Sequence, residues 1–311
     1  MKVAIVGLGD IAQKAYLPLM TQMEAVEPIF CTRDAEVLAR LQKQYRVDKG
    51  YTDYRRLIEA KPDAVMIHVA TSAHCKIAEF FLSQGVPTFV DKPLAENAQQ
   101  VESLYETSAR YRQPLYVGFN RRHLPLLNEY SPELKQGQCG SLRHLRWEKN
   151  RFNLTGELRT FVFDDFIHPL DSINLSRKAS LNDVWLNYQT DGKKLSRIDI
   201  SWQSGGTLLQ ASMNRLNGTT DEHISLGYQN ANMDFIGFTN GTQWQDNQQT
   251  AIALKDWTPM LESKGFGAMI RHWLSVVENG RLDTDIIERN IASHQLAEAI
   301  CQQIGKTLNR V

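Results

Sequence analysis

The feature that most constrains this chain is the alternation that opens it, in which short apolar runs are each followed by a stretch of helical periodicity. Val3-Ala4-Ile5-Val6 reads as a strand, residues 11 to 23 as a helix, Val26 to Cys31 as a second strand and Glu36 to Tyr45 as a second helix. Ala64 to Val69 reads as a buried strand, and His74 to Gln84 as a helix stopped by Gly85 in the C-cap position. Thr88 to Val90 and Leu115 to Phe119 are short strands, separated by a helix from about Ala98 to Tyr111. Strands with no polar face need cover on both sides, and helices placed between them supply it. The expected fold is a doubly wound parallel sheet.

The first turn of this series reads Gly7-Leu8-Gly9-Asp10-Ile11-Ala12, which fits G-x-G-x-x-G/A. Gly7 permits a tight turn, Gly9 lets the backbone approach a pyrophosphate, and Ala12 is small enough for helix to pack closely on strand. The helix N-terminus, with Asp10 and Ile11 in it, then faces the phosphates. A glycine pattern alone is weak, but here it joins an expected strand to an expected helix inside a βαβ series. An N-terminal Rossmann domain holding NADP or NAD follows. An acid usually meets the ribose 2′-hydroxyl at the end of the second strand, and this chain has Cys31-Thr32-Arg33-Asp34 there. A hydroxyl at Thr32 and a guanidinium at Arg33 suit a 2′-phosphate, which favours NADP over NAD. The alternative is a solvated Arg33 and an Asp34 that merely caps the next helix.

After about residue 120 the pattern changes. Segments 142–152, 183–190, 195–203, 207–215, 223–229 and 231–237 alternate in polarity, with turn signals such as Asp191-Gly192 and Gly205-Gly206 between them. They read as an open, mostly antiparallel sheet in an α+β domain. A helix at about 165–177 interrupts these strands, and helices near Gly267–Glu278 and Thr284–Leu308 close the chain. The expected division is residues 1–120 for the dinucleotide and 121–311 for substrate binding and oligomerisation, with the closing helices able to return to the first domain.

Composition narrows the function classes. Lys plus Arg and Asp plus Glu number 35 each, so no basic excess marks a nucleic-acid binder. No run of about eighteen apolar residues suggests a membrane span. A strand that begins at Val3 leaves no room for a signal peptide, so a cytoplasmic location is expected. Cys31, Cys75, Cys139 and Cys301 are scattered, as reduced thiols would be, and no ligand set for a metal stands out.

Two further motifs carry a resemblance. Val90-Asp91-Lys92-Pro93-Leu94-Ala95 resembles the E-K-P-L-A motif of the Gfo/Idh/MocA family, with Asp where Glu is usual, and Val117-Gly118-Phe119-Asn120-Arg121-Arg122 resembles its V-G-F-N-R-R. A third element, Asp164-Asp165-Phe166-Ile167-His168-Pro169-Leu170-Asp171, is similar to the family's D-x-x-x-H-x-x-D. The resemblance is firm over about residues 1–175, with the MviM-like branch nearest, and diffuse in the second sheet. It implies an NAD(P)-dependent oxidoreductase that moves hydride between a nicotinamide and a sugar, polyol, cyclitol or related carbonyl, in a homodimer or larger oligomer built through the open sheet. It also implies cofactor contacts from Val69, Thr71, His74, Asp91, Lys92 and Asn120, and a cis bond before Pro93. Lys92 would stabilise the substrate oxygen, since a cation there favours a developing alkoxide. His168 would be the general base, because an imidazole with an ordinary pKa of about 6.5 accepts a proton near neutrality. Asp164 would orient His168 or share its proton, and Asp171 would support them or serve structure alone.

Pro169 is tolerated only in a first helical turn, so the helix is expected to start near Phe166 with Asp164 just before it. His68 and His74 bracket the loop after the third strand, and His74 has a packing role as its alternative. Trp202, Trp244, Trp257 and Trp273 suit sheet core or a subunit interface better than a sugar site. The rival reading of the whole is a regulator that keeps the fold and the dinucleotide but performs no chemistry. A more remote one is hydrolysis through a retained redox cofactor.

Overall fold

The computed structural model describes residues 1–308. The chain divides into two compact units, Met1–Phe119 with Phe266–Thr284, and Asn120–Gly265 with the residues from Asp285 on.

In the first unit six strands form one parallel sheet: β1 (Lys2–Val6), β2 (Glu27–Cys31), β3 (Gly50–Tyr51), β4 (Ala64–Ile67), β5 (Thr88–Val90) and β6 (Leu115–Val117). Their order is β3-β2-β1-β4-β5-β6, the doubly wound arrangement whose switch point lies between β1 and β4. Val3 to Ile5 and Ala64 to Ile67 are fully buried, which explains why they read as unbroken apolar runs. Asp34 begins the helix Ala35–Tyr45 by accepting from the N–H groups of Glu36 and Val37, both at 3.0 Å. Gly85, at φ +76°, follows the helix His74–Ser83.

Two expectations change here. The two-residue strand β3 is added, too short to leave a pattern. The first helix runs from residue 10 to residue 20 rather than to 23, and its segment Ala12–Tyr16 is a wide, π-type turn in which the Leu17 N–H bonds the Ala12 carbonyl. Pro18 follows at once and has no N–H to continue an ordinary ladder. Of the two closing helices, Phe266–Asn279 belongs to the first unit. Its buried Trp273 lies 5.6 Å from the Tyr116 ring and 6.1 Å from that of Phe89, and its His272 Nδ1 is 2.9 Å from the Tyr116 hydroxyl.

The second unit is built on eight strands: β7 (His144–Phe152), β8 (Trp185–Asp191), β9 (Lys194–Ser204), β10 (Thr207–Asn217), β11 (Asp221–Tyr228), β12 (Ala231–Ile236), β13 (Asn240–Gln245) and β14 (Gln248–Ala253). The order is β14-β13-β12-β11-β7-β10-β9-β8, antiparallel except for the pair β7 and β10. The inner face (Leu145, Trp147, Ile198, Ile200, Leu209, Ile224, Leu226) joins one core with Phe161, Phe166 and Leu170 and with Leu296, Ile300 and Ile304 of the long helix Thr284–Leu308. The outer face carries Arg146, Glu148, Gln210, Ser212, His223 and Ser225, all at least partly open. The hairpin β13–β14 was not foreseen.

The helix expected at 165–177 instead begins at Thr160, as a wide turn Thr160–Phe166 that continues into the helix Ile167–Ile173. Asp164 therefore sits inside helical structure, not before it. As before Pro18, a π-type segment precedes a proline, here with Ile167 and His168 between them, and the Ile167 N–H bonds the Val162 carbonyl.

Candidate functional site

Four chain segments leave the sheet of the first unit side by side, each one residue past a strand end. Gly7 follows β1, His68 follows β4, Asp91 follows β5 and Gly118 follows β6. The ladder continues through them: His68 N–H bonds Val6 O at 2.8 Å, Asp91 N–H bonds Ile67 O at 3.0 Å, and Gly118 N–H bonds Val90 O at 2.9 Å. Open parallel sheets place their ligands at such carboxyl ends.

Gly7 has φ +92°, and a Cβ on it would lie 2.7 Å from the His68 carbonyl carbon and 2.8 Å from Val69 Cγ1. No other residue fits that turn. Above Gly9 the space is open, with no atom within 4 Å of where a Cβ would stand, and Ala12 is fully buried beneath the helix start. Asp10 is exposed and paired with Lys14 at 2.8 Å, and Ile11 is also exposed. Beyond β2, Thr32 is half-buried and Arg33 exposed, with no ion pair to Arg33 among the described residues. Bare backbone, an open helix start and an uncommitted cation together fit the pyrophosphate and ribose of a dinucleotide.

The Lys92–Pro93 bond is cis. Lys92 is half-buried, and its N–H bonds Asp91 Oδ1 at 2.8 Å. Asp91 is 8% exposed, and its other oxygen lies 3.6 Å from Nδ1 of the buried His68. Burial works to raise the pKa of Asp91, but His68 and Lys92 outweigh it and hold the carboxyl below its ordinary range.

His74 departs from its expected part as a cofactor contact. It is 1% exposed, with Nδ1 2.9 Å from Pro93 O and Nε2 3.0 Å from Val69 O. The ring is committed to two backbone carbonyls and ties the loop of Val69 and Thr71 to the Lys92–Pro93 turn. Burial pushes its pKa down. Asp91 likewise faces inward, and Asn120 is 1% exposed, its amide donating to Lys264 O at 2.8 Å and its Oδ1 accepting from Arg121 at 3.1 Å.

In the second unit His168 is 7% exposed and Asp171 1%. Asp171 takes a two-bond clamp from Arg122 at 2.6 and 2.9 Å and a bond from Ser293 at 2.8 Å, while Arg289 bonds its backbone carbonyl at 2.6 Å. Burial opposes ionisation, but the charges of Arg122 and Arg289 hold the carboxyl below its usual range. Asp171 thus locks the C-terminal part of the helix that carries His168. Asp164 is exposed.

Sequence reasoning passed over the neighbour of Asp164. Asp165 is buried and accepts from Arg151 through two bonds at 3.0 Å, from Arg215 at 2.9 Å and from Lys149 at 2.5 Å. Glu222 joins the same cluster, bonded to Arg121 at 2.5 Å and to the Trp147 indole at 3.1 Å. Burial, helped by Arg121, pushes the Lys149 pKa down to about 7, whereas Lys149 and Arg151 overcome burial at Asp165 and hold it far below the carboxylate range. The available signal was the period-2 series Leu145, Trp147, Lys149, Arg151, which keeps both cations on the core face of β7.

Among the described residues no group of three His, Cys, Asp or Glu side chains could hold a metal ion, and no helix is long and apolar enough to cross a membrane. Sheet order and glycine turn together define a dinucleotide-binding protein. Residues 1–119 match the family model described as an oxidoreductase family with an NAD-binding Rossmann fold. A Gfo/Idh/MocA family oxidoreductase from Vibrio cholerae superposes with a TM-score of 0.98 at 57% identity, over 99% of both chains. A dehydrogenase (MviM) from Clostridium difficile gives 0.85 at 26% identity, over 100% of this chain and 99% of that one. Inositol 2-dehydrogenase of Corynebacterium glutamicum is 26% identical over 238 residues, 71% of this chain and 68% of that protein. The chain belongs to the Gfo/Idh/MocA family and is an NAD(P)-binding oxidoreductase of its MviM-like branch.

Proposed function

We propose that this enzyme oxidises or reduces a sugar, polyol, cyclitol or related carbonyl, with NADP preferred over NAD. The observation that carries the reading is the Lys92 turn, which leaves β5 at the carboxyl edge of the same sheet as the Gly7–Gly9 turn. A bound nicotinamide supplies the two-electron donor or acceptor. In the oxidative direction His168 takes the hydroxyl proton, and the Lys92 ammonium stabilises the charge that develops on the oxygen. Asp164 orients His168 or passes its proton on. Thr32 and the uncommitted Arg33 meet the 2′-phosphate of NADP. The similarity to an inositol dehydrogenase supports a polyhydroxylated substrate. The open polar face of the second sheet builds a homodimer, and the enzyme works in the cytoplasm, where its cofactor is.

The test is a screen of sugars, polyols and cyclitols with both cofactors, followed at the absorbance of the reduced nicotinamide. Turnover that falls at least about 100-fold in Lys92→Ala and in His168→Ala supports the reading. Tight binding of NADPH with no turnover across the screen would replace it by the non-catalytic regulator, and a His168→Ala variant of wild-type rate would remove His168 from the mechanism.

A further inference from the structure

Beneath the Lys92 turn lies a buried polar group with no part in the chemistry above. Tyr16 is fully buried and His68 is 4% exposed, with their rings 3.8 Å apart. Neither the Tyr16 hydroxyl nor either His68 ring nitrogen makes a hydrogen bond of ordinary length, and Asp91 Oδ2 lies 3.6 Å from His68 Nδ1. Gly118 makes the space for this meeting: a Cβ there would stand 3.2 Å from both Asp91 Oδ1 and the Tyr16 hydroxyl, and 2.9 Å from Phe89. Burial, then the nearby Asp91 charge, raises the Tyr16 pKa, so the phenol stays neutral beside the carboxylate.

A buried carboxylate is costly unless compensated. Asp91 is compensated by the Lys92 N–H on one oxygen and faced by the His68 imidazole on the other, with the neutral Tyr16 hydroxyl beside the carboxylate. An imidazole in an otherwise apolar and aromatic pocket (Tyr16, Phe89) has no packing reason to be there, since an apolar side chain would fill the space without stranding two nitrogens. What it adds is a donor toward Asp91 Oδ2. Resting on the reading that Lys92 acts on substrate, we propose that His68 is a positioning residue. It holds the Asp91 carboxylate in the rotamer that anchors the Lys92 N–H and so sets the charge that the Lys92 ammonium feels.

The test reads Lys92 directly and needs no substrate. Lysine amines are reductively methylated with 13C-formaldehyde, the Lys92 signal is assigned by its loss in Lys92→Arg, and its titration is followed by NMR in the full chain. In His68→Leu the carboxylate loses a partner that shares its charge, so the Lys92 pKa should rise by about half a unit or more. His68→Asn, which keeps an N–H donor near the Nδ1 position, should restore it. In an Asp91→Asn background His68→Leu should cause no further shift, because the two act as one unit. If His68→Leu does not fold, His68→Gln takes its place in the same cycle. A Lys92 titration unmoved by His68 substitution, or shifts that add independently in the Asp91→Asn background, overturns the proposal. A failed substrate screen would sink the assigned chemistry and leave this measurement standing.

Discussion

Replacing Asp165 by Asn should be the most damaging single-atom change in the second unit. The carboxylate is the shared counter-charge of Lys149, Arg151 and Arg215, at 2.5 to 3.0 Å, and the side chains of Lys149 and Arg215 are only 3% and 6% exposed. An amide keeps the shape but leaves these cations facing one another. Breaking a buried pair in this way costs about 3–5 kcal/mol, and the half-open Arg151 adds little because solvent screens it. That is a large share of the roughly 5–15 kcal/mol by which a domain is stable. Urea unfolding followed by circular dichroism gives the loss, and peptide-resolved hydrogen exchange should place it in residues 120–265. Pairing Asp165→Asn with Lys149→Met removes one orphaned cation and should recover at least about 1 kcal/mol. The pH dependence has a definite sign. The folded pKa of Asp165 is depressed, so its contribution is present above the unfolded value of about 4 and is lost as pH falls through the lower, folded value. An Asp165→Asn protein within about 1 kcal/mol of wild type, or an unchanged acid limb, refutes the view that this carboxylate holds the cluster together.

Lys149 acts on the alkaline side. Between its folded pKa of about 7 and an unfolded value of about 10.4 the unfolded chain binds the extra proton, so wild-type stability should rise with pH there, and Lys149→Met should flatten that limb. Gly7→Ala puts a methyl against the His68 backbone at φ +92°, and should abolish NADPH binding in a fluorescence titration while lowering the melting temperature. Arg33→Ala should weaken NADPH about ten-fold or more and leave NADH unchanged; equal effects on both would remove the 2′-phosphate assignment. Asp34→Ala loses two capping bonds and should cost about 1 kcal/mol.

The parallel sheet was legible because its strands are buried on both faces and therefore written in apolar letters. The hairpin β13–β14 was not, since Asn240–Gln245 and Gln248–Ala253 form a polar edge in which Ile252 alone is buried, and hydrophobic alternation never develops. The Lys92 turn and the His168 helix could be found from local motifs. Asp165 escaped because β7 carries polar side chains on both faces after Trp147: Glu148 and Asn150 point out, while Lys149 and Arg151 point in. A one-dimensional pattern does not tell solvated charge from charge that a distant residue neutralises. The wide turns before Pro18 and Pro169 were hidden for a related reason, as proline marks where an ordinary ladder fails but not how the chain repairs it.

The helix Phe266–Asn279 changes how this protein must be made. The first unit is finished only when Trp273 reaches Phe89 and Tyr116, yet the ribosome emits the whole stretch from Asn120 to Gly265 in between. At about 5–20 residues per second, roughly seven to thirty seconds pass with an apolar flank of the six-stranded sheet uncovered. During that interval the nascent chain is a natural client for a chaperone. A fragment cut at residue 119 would remain in that unfinished state permanently, so a gene splitter or domain grafter should carry residues 266–284 along with the first 119.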